Sequence, residues 1–320
     1  MKILVVKTSS MGDVVHTMPA ISDMAAQVPD VQIDWLVEAP FASLPAMHPA
    51  IRTVIPIAWR SWRKRLLARE TREALAAARM QLKAERYDLI LDMQGLVKSA
   101  LWAMQANGPR AGYDAASARE PLAALTYARR AKVDKSQHAV ERSRQLAAAH
   151  LGYAVTGKAH FNLRAPALNW APQAVRYAVL ITGASRPEKL WPETSWRQVA
   201  ATLTARDLGI VWLWGSAEEC ERARRLALAT GGEVPPFLSV QDASAVLARA
   251  TFCVGLDTGF THIAAAFGVS TVGIYCDHEP GLVGITGDGY VASVGGMAQV
   301  PGVAAVETLF PTLSPTQVVS

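Results

Sequence analysis

Short runs of apolar residues recur along the chain, each followed by a polar turn and then a stretch with helical spacing. Lys2–Val6 is a short apolar run rich in β-branched residues, Ile3, Val5 and Val6. That pattern suits a strand covered on both faces, as in a parallel sheet. A polar turn, Lys7–Gly12, follows it. Apolar residues then return at Val15, Met18, Ile21 and Met24, the spacing of a helix with one buried side. Ile33–Val37, Arg52–Ile57 and Asp88–Leu91 repeat the strand pattern, with helical segments between or after them. Such alternation predicts βαβ units. Between Gly152 and Arg176 the periodicity lapses, and Gly152, Gly157, Pro166 and Pro172 interrupt the chain. This stretch reads as a linker, and the boundary is placed after Val155, giving domains 1–155 and 156–320. A second series then begins, with strands expected at Tyr177–Thr182, Gly209–Trp214, Thr251–Val254 and Thr271–Tyr275. Helices are expected to start near Ser195, Ala217, Asp242 and Thr258. Two similar series predict an α/β protein of two Rossmann-like doubly wound domains facing a cleft. Ligands then bind outside the carboxyl ends of the strands.

Composition narrows the class. With 320 residues, 51% hydrophobic and 18% charged, the chain can build two cores and does not read as disordered. No run reaches the roughly 18–20 apolar residues of a membrane-spanning helix. The opening MKILVVK is too short for a signal-peptide core and has no small-residue cleavage site after it. The three cysteines show no metal-type spacing, which fits a reducing compartment. These features point to the cytoplasm. The net charge of +5 suits an anionic partner: nucleic acid, an acidic membrane face or a phosphorylated substrate. No nucleic-acid reading motif accompanies the charge, so nucleic acid ranks lowest. The absence of G-x-G-x-x-G argues against a nicotinamide enzyme. G-x-S-x-G, H-E-x-x-H and a P-loop are absent too. No cluster reads as a dedicated metal site.

Five segments carry candidate chemistry. In Thr8–Asp13, between the first strand and the first helix, Gly12 lets backbone approach a ligand. Asp13 there reads either as a helix cap or as a general base at a strand end. In Arg60–Arg72, six basic side chains are opposed only by Glu70. Trp59, Trp62 and Leu66 fall on one side of an expected helix. The segment reads as a solvated face over a buried stripe, as a phosphate or carboxylate pocket lined by Arg forks, or as a membrane-surface helix. Asp92–Ser99 follows a strand and brings Gln94 and Lys98 toward the ligand side, or simply caps a helix. Thr182–Ser185 with Lys189–Pro192 offers small hydroxyl groups and one lysine, a set that suits a diphosphate. Asp257–His262 follows the apolar run Phe252–Leu256 and opens the apolar helix Ile263–Phe267. The N–H groups of Thr258 and Gly259 suit an anion there, Asp257 suits sugar hydroxyls, and His262 lies a turn further in.

Together these segments resemble the heptosyltransferases of glycosyltransferase family 9. The resemblance rests on K-T-S-S-M-G-D-V-V-H-T-M-P, D-M-Q-G-L-V-K-S-A, K-L-W-P-E and D-T-G-F-T-H-I-A-A-A-F. W-R-K-R near position 62 and A-R-E-P-L near position 120 add to it. Each motif alone is weak, but the likeness runs nearly end to end. T-S-S-M-G-D and D-T-G are nearest to the enzymes that add the first heptose of the lipopolysaccharide inner core. The resemblance implies a GT-B fold, ADP-heptose as donor and Kdo2-lipid A as acceptor. It also implies inversion at the anomeric carbon, no cofactor and no metal. Position by position, it implies Asp13 as catalytic base and Lys189 on the diphosphate with Ser185 beside it. Asp257 falls on the heptose hydroxyls, and Thr258, Gly259 and His262 lie around the diphosphate. Glu219 falls near the ribose, with Glu218 as its rival. Arg60, Arg63 and Lys64 take the anionic acceptor, joined by Gln94, Lys98 and Arg119. Where the family often has two threonines, this chain has Ala184-Ser185. The basic segment further implies peripheral attachment to the anionic inner face of the inner membrane, weakened by salt. The alternatives are a later heptosyltransferase, a sugar-nucleotide epimerase of similar fold, and a non-catalytic nucleotide-binding protein.

Overall fold

The computed structural model describes residues 1–312 apart from Ser185 and His278. The chain folds as two compact units, Met1–Arg164 and Ala165–Ser320.

The first unit is built on β1 (Lys2–Val6), β2 (Gln32–Glu38), β3 (Ile51–Ile57), β4 (Leu89–Asp92), β5 (Arg110–Tyr113) and β6 (Arg129–Ala131). They form one sheet in the order β3-β2-β1-β4-β5-β6, every neighbour parallel. This is the doubly wound Rossmann order. Ile3, Leu4, Val5 and Val6 are all fully buried. Four consecutive apolar side chains can be buried only if both faces of the strand are covered, which puts β1 in the middle of the sheet. Each such side chain stabilises by roughly 1.5–3 kcal/mol. On one face Leu4, Val6, Leu36 and Ile90 pack against Leu82 and Trp102.

The second unit holds β7 (Tyr177–Ile181), β8 (Gly209–Leu213), β9 (Phe252–Leu256), β10 (Ser270–Tyr275) and β11 (Val291–Gly295). Their order is β11-β10-β9-β7-β8, again all parallel. That is the flavodoxin-like order, in which the first strand of the unit pairs with the second on one side and the third on the other. Strand order therefore reverses between β1 and β4 in one unit and between β7 and β9 in the other. At each switch point two crossover connections leave in opposite directions, and the loops at the carboxyl ends of those two strands lie side by side.

The expected strands form within a residue or two of their expected ends. The expected helix starts near Ser195, Ala217, Asp242 and Thr258 are found at Glu193, Ala217, Val240 and Gly259. Three strands escape a reading from sequence. β5 and β6 have only four and three residues, and Arg129 and Arg130 of β6 are exposed. β11 is only half buried. Strands this short, or this little buried at a sheet edge, do not stand out as apolar runs. The division after Arg164 falls later than the position expected from sequence, and side chains show why. Arg144 donates to the carbonyls of Thr156 and Gly157, Phe161 is fully buried, and the Arg164 N–H donates to Met47 O. The helix expected to carry Trp59, Trp62 and Leu66 ends at Trp62. Arg60, Arg63 and Lys64 are three and four residues apart, where like charges oppose a continuing helix. Leu66 is consequently exposed, off that helix.

Candidate active site

At the β1/β4 switch point the loop after β1 is clasped by the loop after β4. Gln94, buried, accepts from the Thr8 N–H at 2.7 Å and the Thr8 hydroxyl at 2.6 Å, and donates to Ser9 O at 2.9 Å. The Lys98 ammonium donates to Ser9 Oγ at 3.0 Å. Asp92 lies beneath, fully buried, accepting from the N–H groups of Gln94 and Gly95 and from the hydroxyls of Ser99 and Tyr127. Burial pushes its carboxyl up from the usual value. Asp92 thus shapes the loop from inside, and Gly95, at φ +66, makes the turn that lets it do so.

The clasp presents Asp13. Its carboxylate Oδ2 accepts from both the N–H and the hydroxyl of Ser10, each at 2.9 Å, and its side chain is 24% exposed. Asp13 therefore braces the first helical turn and still reaches solvent. Burial by itself raises the carboxyl. The Lys7 charge, the Ser10 hydrogen bonds and Arg119 outweigh burial and hold it below its usual value. Arg119 Nη1 lies 3.6 Å from Asp13 Oδ2. Arg119 is held in place through its neighbour Glu120, which accepts from the Val97 N–H at 2.6 Å and donates its own N–H to Gly95 O.

Among the acceptor candidates, Gln94, Lys98 and Arg119 come together around Ser9 and Asp13. Arg60, Arg63 and Lys64 are exposed, at the short helix Trp59–Trp62 and the turn after it. The Arg60 N–H donates to Glu38 at the end of β2, and its guanidinium lies 5.7 Å from the Phe41 ring centre. Glu38 is raised by burial, while Arg60, Lys98 and Arg63 act the other way. Two contributors are not singled out by sequence as functional residues. Lys7 is 8% exposed, donates to Met93 O and sets the charge around Asp13. Its signal is a lysine directly following the apolar run Ile3–Val6. Ser10 is visible only as one of several hydroxyls in the turn.

At the β7/β9 switch point the loops pair ionically. Lys189 Nζ lies 2.6 Å from Asp257 Oδ2, and His262 Nε2 lies 3.5 Å from Asp257 Oδ1. Burial opposes ionisation of Asp257, but hydrogen bonds from His262 and Lys189, with their charges, hold its carboxyl far below the usual range. Thr258 is the N-cap of the helix Gly259–Ala266, whose first N–H groups have no carbonyl behind them within the helix. Thr261 donates to Leu256 O at 2.6 Å and ties the helix to the end of β9. Glu219 lies at the neighbouring strand end. Its Oε2 accepts from the Gly215 N–H at 2.7 Å, and a Cβ on Gly183 would collide with its carboxyl group. Glu218 is exposed. Lys189, Glu219, Asp257, Thr258, Gly259 and His262 are therefore gathered at the carboxyl ends of β7, β8 and β9, whereas Ser185 lies outside the described residues. Among the described residues, no three His, Cys, Asp or Glu side chains cluster in a way that would hold a metal ion.

A sequence profile, that of glycosyltransferase family 9 (heptosyltransferase), matches residues 75–304. The chain belongs to glycosyltransferase family 9. It is 42% identical over 293 residues to lipopolysaccharide heptosyltransferase 1 of Escherichia coli K12, covering 89% of this chain and 90% of the relative. Its structure superimposes on the E. coli heptosyltransferase WaaC with ADP at TM-score 0.89 and 38% identity, covering 96% of this chain and 98% of that one. The same enzyme with ADP-2-deoxy-2-fluoro heptose gives TM-score 0.84 and 36% identity, with the same coverage. This family member is thus a glycosyltransferase of the GT-B fold, as its motifs suggest.

Proposed function

We propose that this protein moves L-glycero-D-manno-heptose from ADP-heptose to a Kdo residue of Kdo2-lipid A, with inversion at the anomeric carbon. The observation that carries the reading is Asp13, a strand-end carboxylate held ionised among Lys7, Ser10 and Arg119. A sugar hydroxyl is a poor nucleophile until a base takes its proton, and a carboxylate that stays ionised and partly exposed supplies that base. In one displacement the Kdo oxygen bonds to C1 of the heptose, the C1–O bond to the diphosphate breaks, and the proton passes to Asp13. The leaving ADP gains negative charge. Lys189 and the free N–H groups at the start of Gly259–Ala266 are the groups that meet it. Asp257 and Glu219 take the heptose and ribose hydroxyls, with Ser185, Thr258, Gly259 and His262 around the diphosphate. The E. coli relatives, named as lipopolysaccharide heptosyltransferase 1 and as a heptosyltransferase carrying an ADP-heptose analogue, support this donor and this pathway. Arg60, Arg63, Lys64, Lys98 and Arg119 supply the cations for a carboxylate- and phosphate-bearing acceptor. Gln94 holds the loop they surround.

We place the protein at the cytoplasmic face of the inner membrane, attached peripherally. No helix among the described residues is long and apolar enough to cross a membrane. The deciding experiment incubates the purified protein with ADP-heptose and Kdo2-lipid A and follows ADP release and product mass. A heptosylated Kdo2-lipid A is expected. Product formed only on an already heptosylated core overturns this acceptor, and ADP release with no heptosylated product overturns the proposed transfer.

A further inference from the structure

The first unit carries two stripes of large apolar side chains that point away from its core. On the helix Val97–Ala103 and the residue after it, Val97, Leu101 and Met104 are 36%, 52% and 46% exposed. They recur at the four- and three-residue steps that align side chains on one helical side. On the 3-10 turn Pro121–Thr126, Leu122 and Leu125 are 67% and 69% exposed. Three residues apart in a 3-10 turn, they eclipse one another. The two segments pack together through small residues, Ala100 against Ala123 and Ala124. The usual arrangement is therefore reversed, with alanines inside and leucines outside. A single exposed leucine calls for no explanation, but two aligned stripes on touching segments do.

The surroundings name the partner. Beside Leu101 a recess of about 240 Å³ is lined by Trp59, Leu75 and Trp102, with Arg79 and Lys98 as its cations. Arg119 precedes the turn, and Arg129 and Arg130 follow it, all three exposed. Of the acids near these cations, Glu120 is engaged by the Val97 N–H and Glu38 is buried beside Arg60. Apolar stripes framed by tryptophans and cations match the interface of an anionic bilayer: acyl chains below, phosphates above.

Resting on the peripheral attachment proposed above, we infer that this face inserts Leu101, Met104, Leu122 and Leu125 into the apolar edge of an anionic lipid leaflet. Attachment then has a part that salt does not reverse, in addition to the electrostatic part contributed by the basic residues. The proposal is tested by flotation with phosphatidylethanolamine–phosphatidylglycerol vesicles at about 50 and about 500 mM NaCl, the higher salt cutting the screening length to roughly a third. The wild type is expected to keep a bound fraction at the higher salt. In Leu101→Ser/Leu122→Ser/Leu125→Ser that fraction is expected to fall about tenfold per leucine removed, with low-salt binding retained. A polarity-sensitive dye on Leu122→Cys is expected to shift to the blue with these vesicles. Circular dichroism and the thermal midpoint verify folding. If the triple variant does not fold, the single changes Leu122→Ser and Leu125→Ser, at the two most exposed positions, carry the test. A wild type wholly released by salt, or a variant as salt-resistant as the wild type, overturns the insertion face and leaves the electrostatic attachment standing. A wild type that binds no vesicle even at low salt overturns both, and a face that instead drives self-association overturns the insertion.

Discussion

At the β1/β4 switch point, the loop after β1 is held mainly by hydrogen bonds to backbone and hydroxyl groups. The Gln94 amide grips Thr8 and Ser9, and Asp92 is spent on N–H and hydroxyl partners beneath. At the β7/β9 switch point, an ion pair joins the loops, Lys189 to Asp257 with His262 behind. The same topological device is thus supported mainly by hydrogen bonds to backbone and hydroxyl groups in one unit and by an ion pair of proposed ligand-binding side chains in the other. In the first unit the proposed base, Asp13, is not the side chain that clasps the two loops together, so a change at Asp13 should alter rate with little effect on the fold. In the second they are the same side chains, so changes should alter ligand binding and stability together.

The largest effect is expected at Asp13. Asp13→Asn keeps an oxygen for Ser10 but cannot take a proton, so kcat should fall about 10²–10⁴-fold. Donor KM and thermal midpoint should move little. Steady-state kinetics beside a melting curve checks this. Near-normal turnover would remove Asp13 as the base, and a large loss of stability would break the separation claimed for this unit. Lys189→Ala should rank next. It removes the cation for the departing diphosphate, at a cost of about 10²–10³-fold in kcat. It also strips Asp257 of its 2.6 Å partner. Lower activity with an unchanged melting curve would show that the pair does not brace the unit.

Much of this contrast is legible in the sequence, and the reasons are local. β1 and β9 announce themselves because both faces of each are covered. Asp13, Lys189 and Asp257 stand out as polar residues just beyond such runs. What the chain does not announce is who meets whom. Lys189 and Asp257 are 68 positions apart. They meet only because β7 pairs with β9 on the side away from β8, and strand order is a property of the whole sheet. Lys7 is hidden for a similar reason: a lysine at a strand end reads as solvated until the loop after β4 covers it. The stripe Val97, Leu101 and Met104 reads as an ordinary apolar helix side, because spacing does not tell inward from outward.

The pH dependence of stability sharpens the contrast at smaller magnitude. The folded carboxyl of Asp257 lies below its unfolded value of 3.8. Its ionised form therefore stabilises the fold fully above that value and progressively less as the pH falls toward the folded value. Asp257→Asn should be less stable than wild type by about 1.5–3 kcal/mol at neutral pH, the range for a hydrogen bond to a charged group. The gap should shrink below pH 3.8. Denaturation in urea at several pH values measures it. A gap independent of pH would mean that the loss reflects packing, and that the ion pair is not what joins the two loops.

The smallest effect separates two adjacent acids. Gln at position 219 can still accept from the Gly215 N–H, so Glu219→Gln should leave the loop in place and remove only the charge offered to the ribose hydroxyls. A charge-assisted hydrogen bond weakened to a neutral one is worth about 1 kcal/mol, which raises donor KM by about fivefold while kcat holds. Glu218→Gln changes an exposed side chain and should alter neither. The two variants have the same net charge, so a shared electrostatic influence on the nucleotide would affect both alike. Only direct contact by Glu219 affects one and spares the other. Equal effects would therefore detach Glu219 from the ribose. They would leave its carboxylate as a brace between the ends of β7 and β8, comparable to the loop support that Gln94 provides in the first unit.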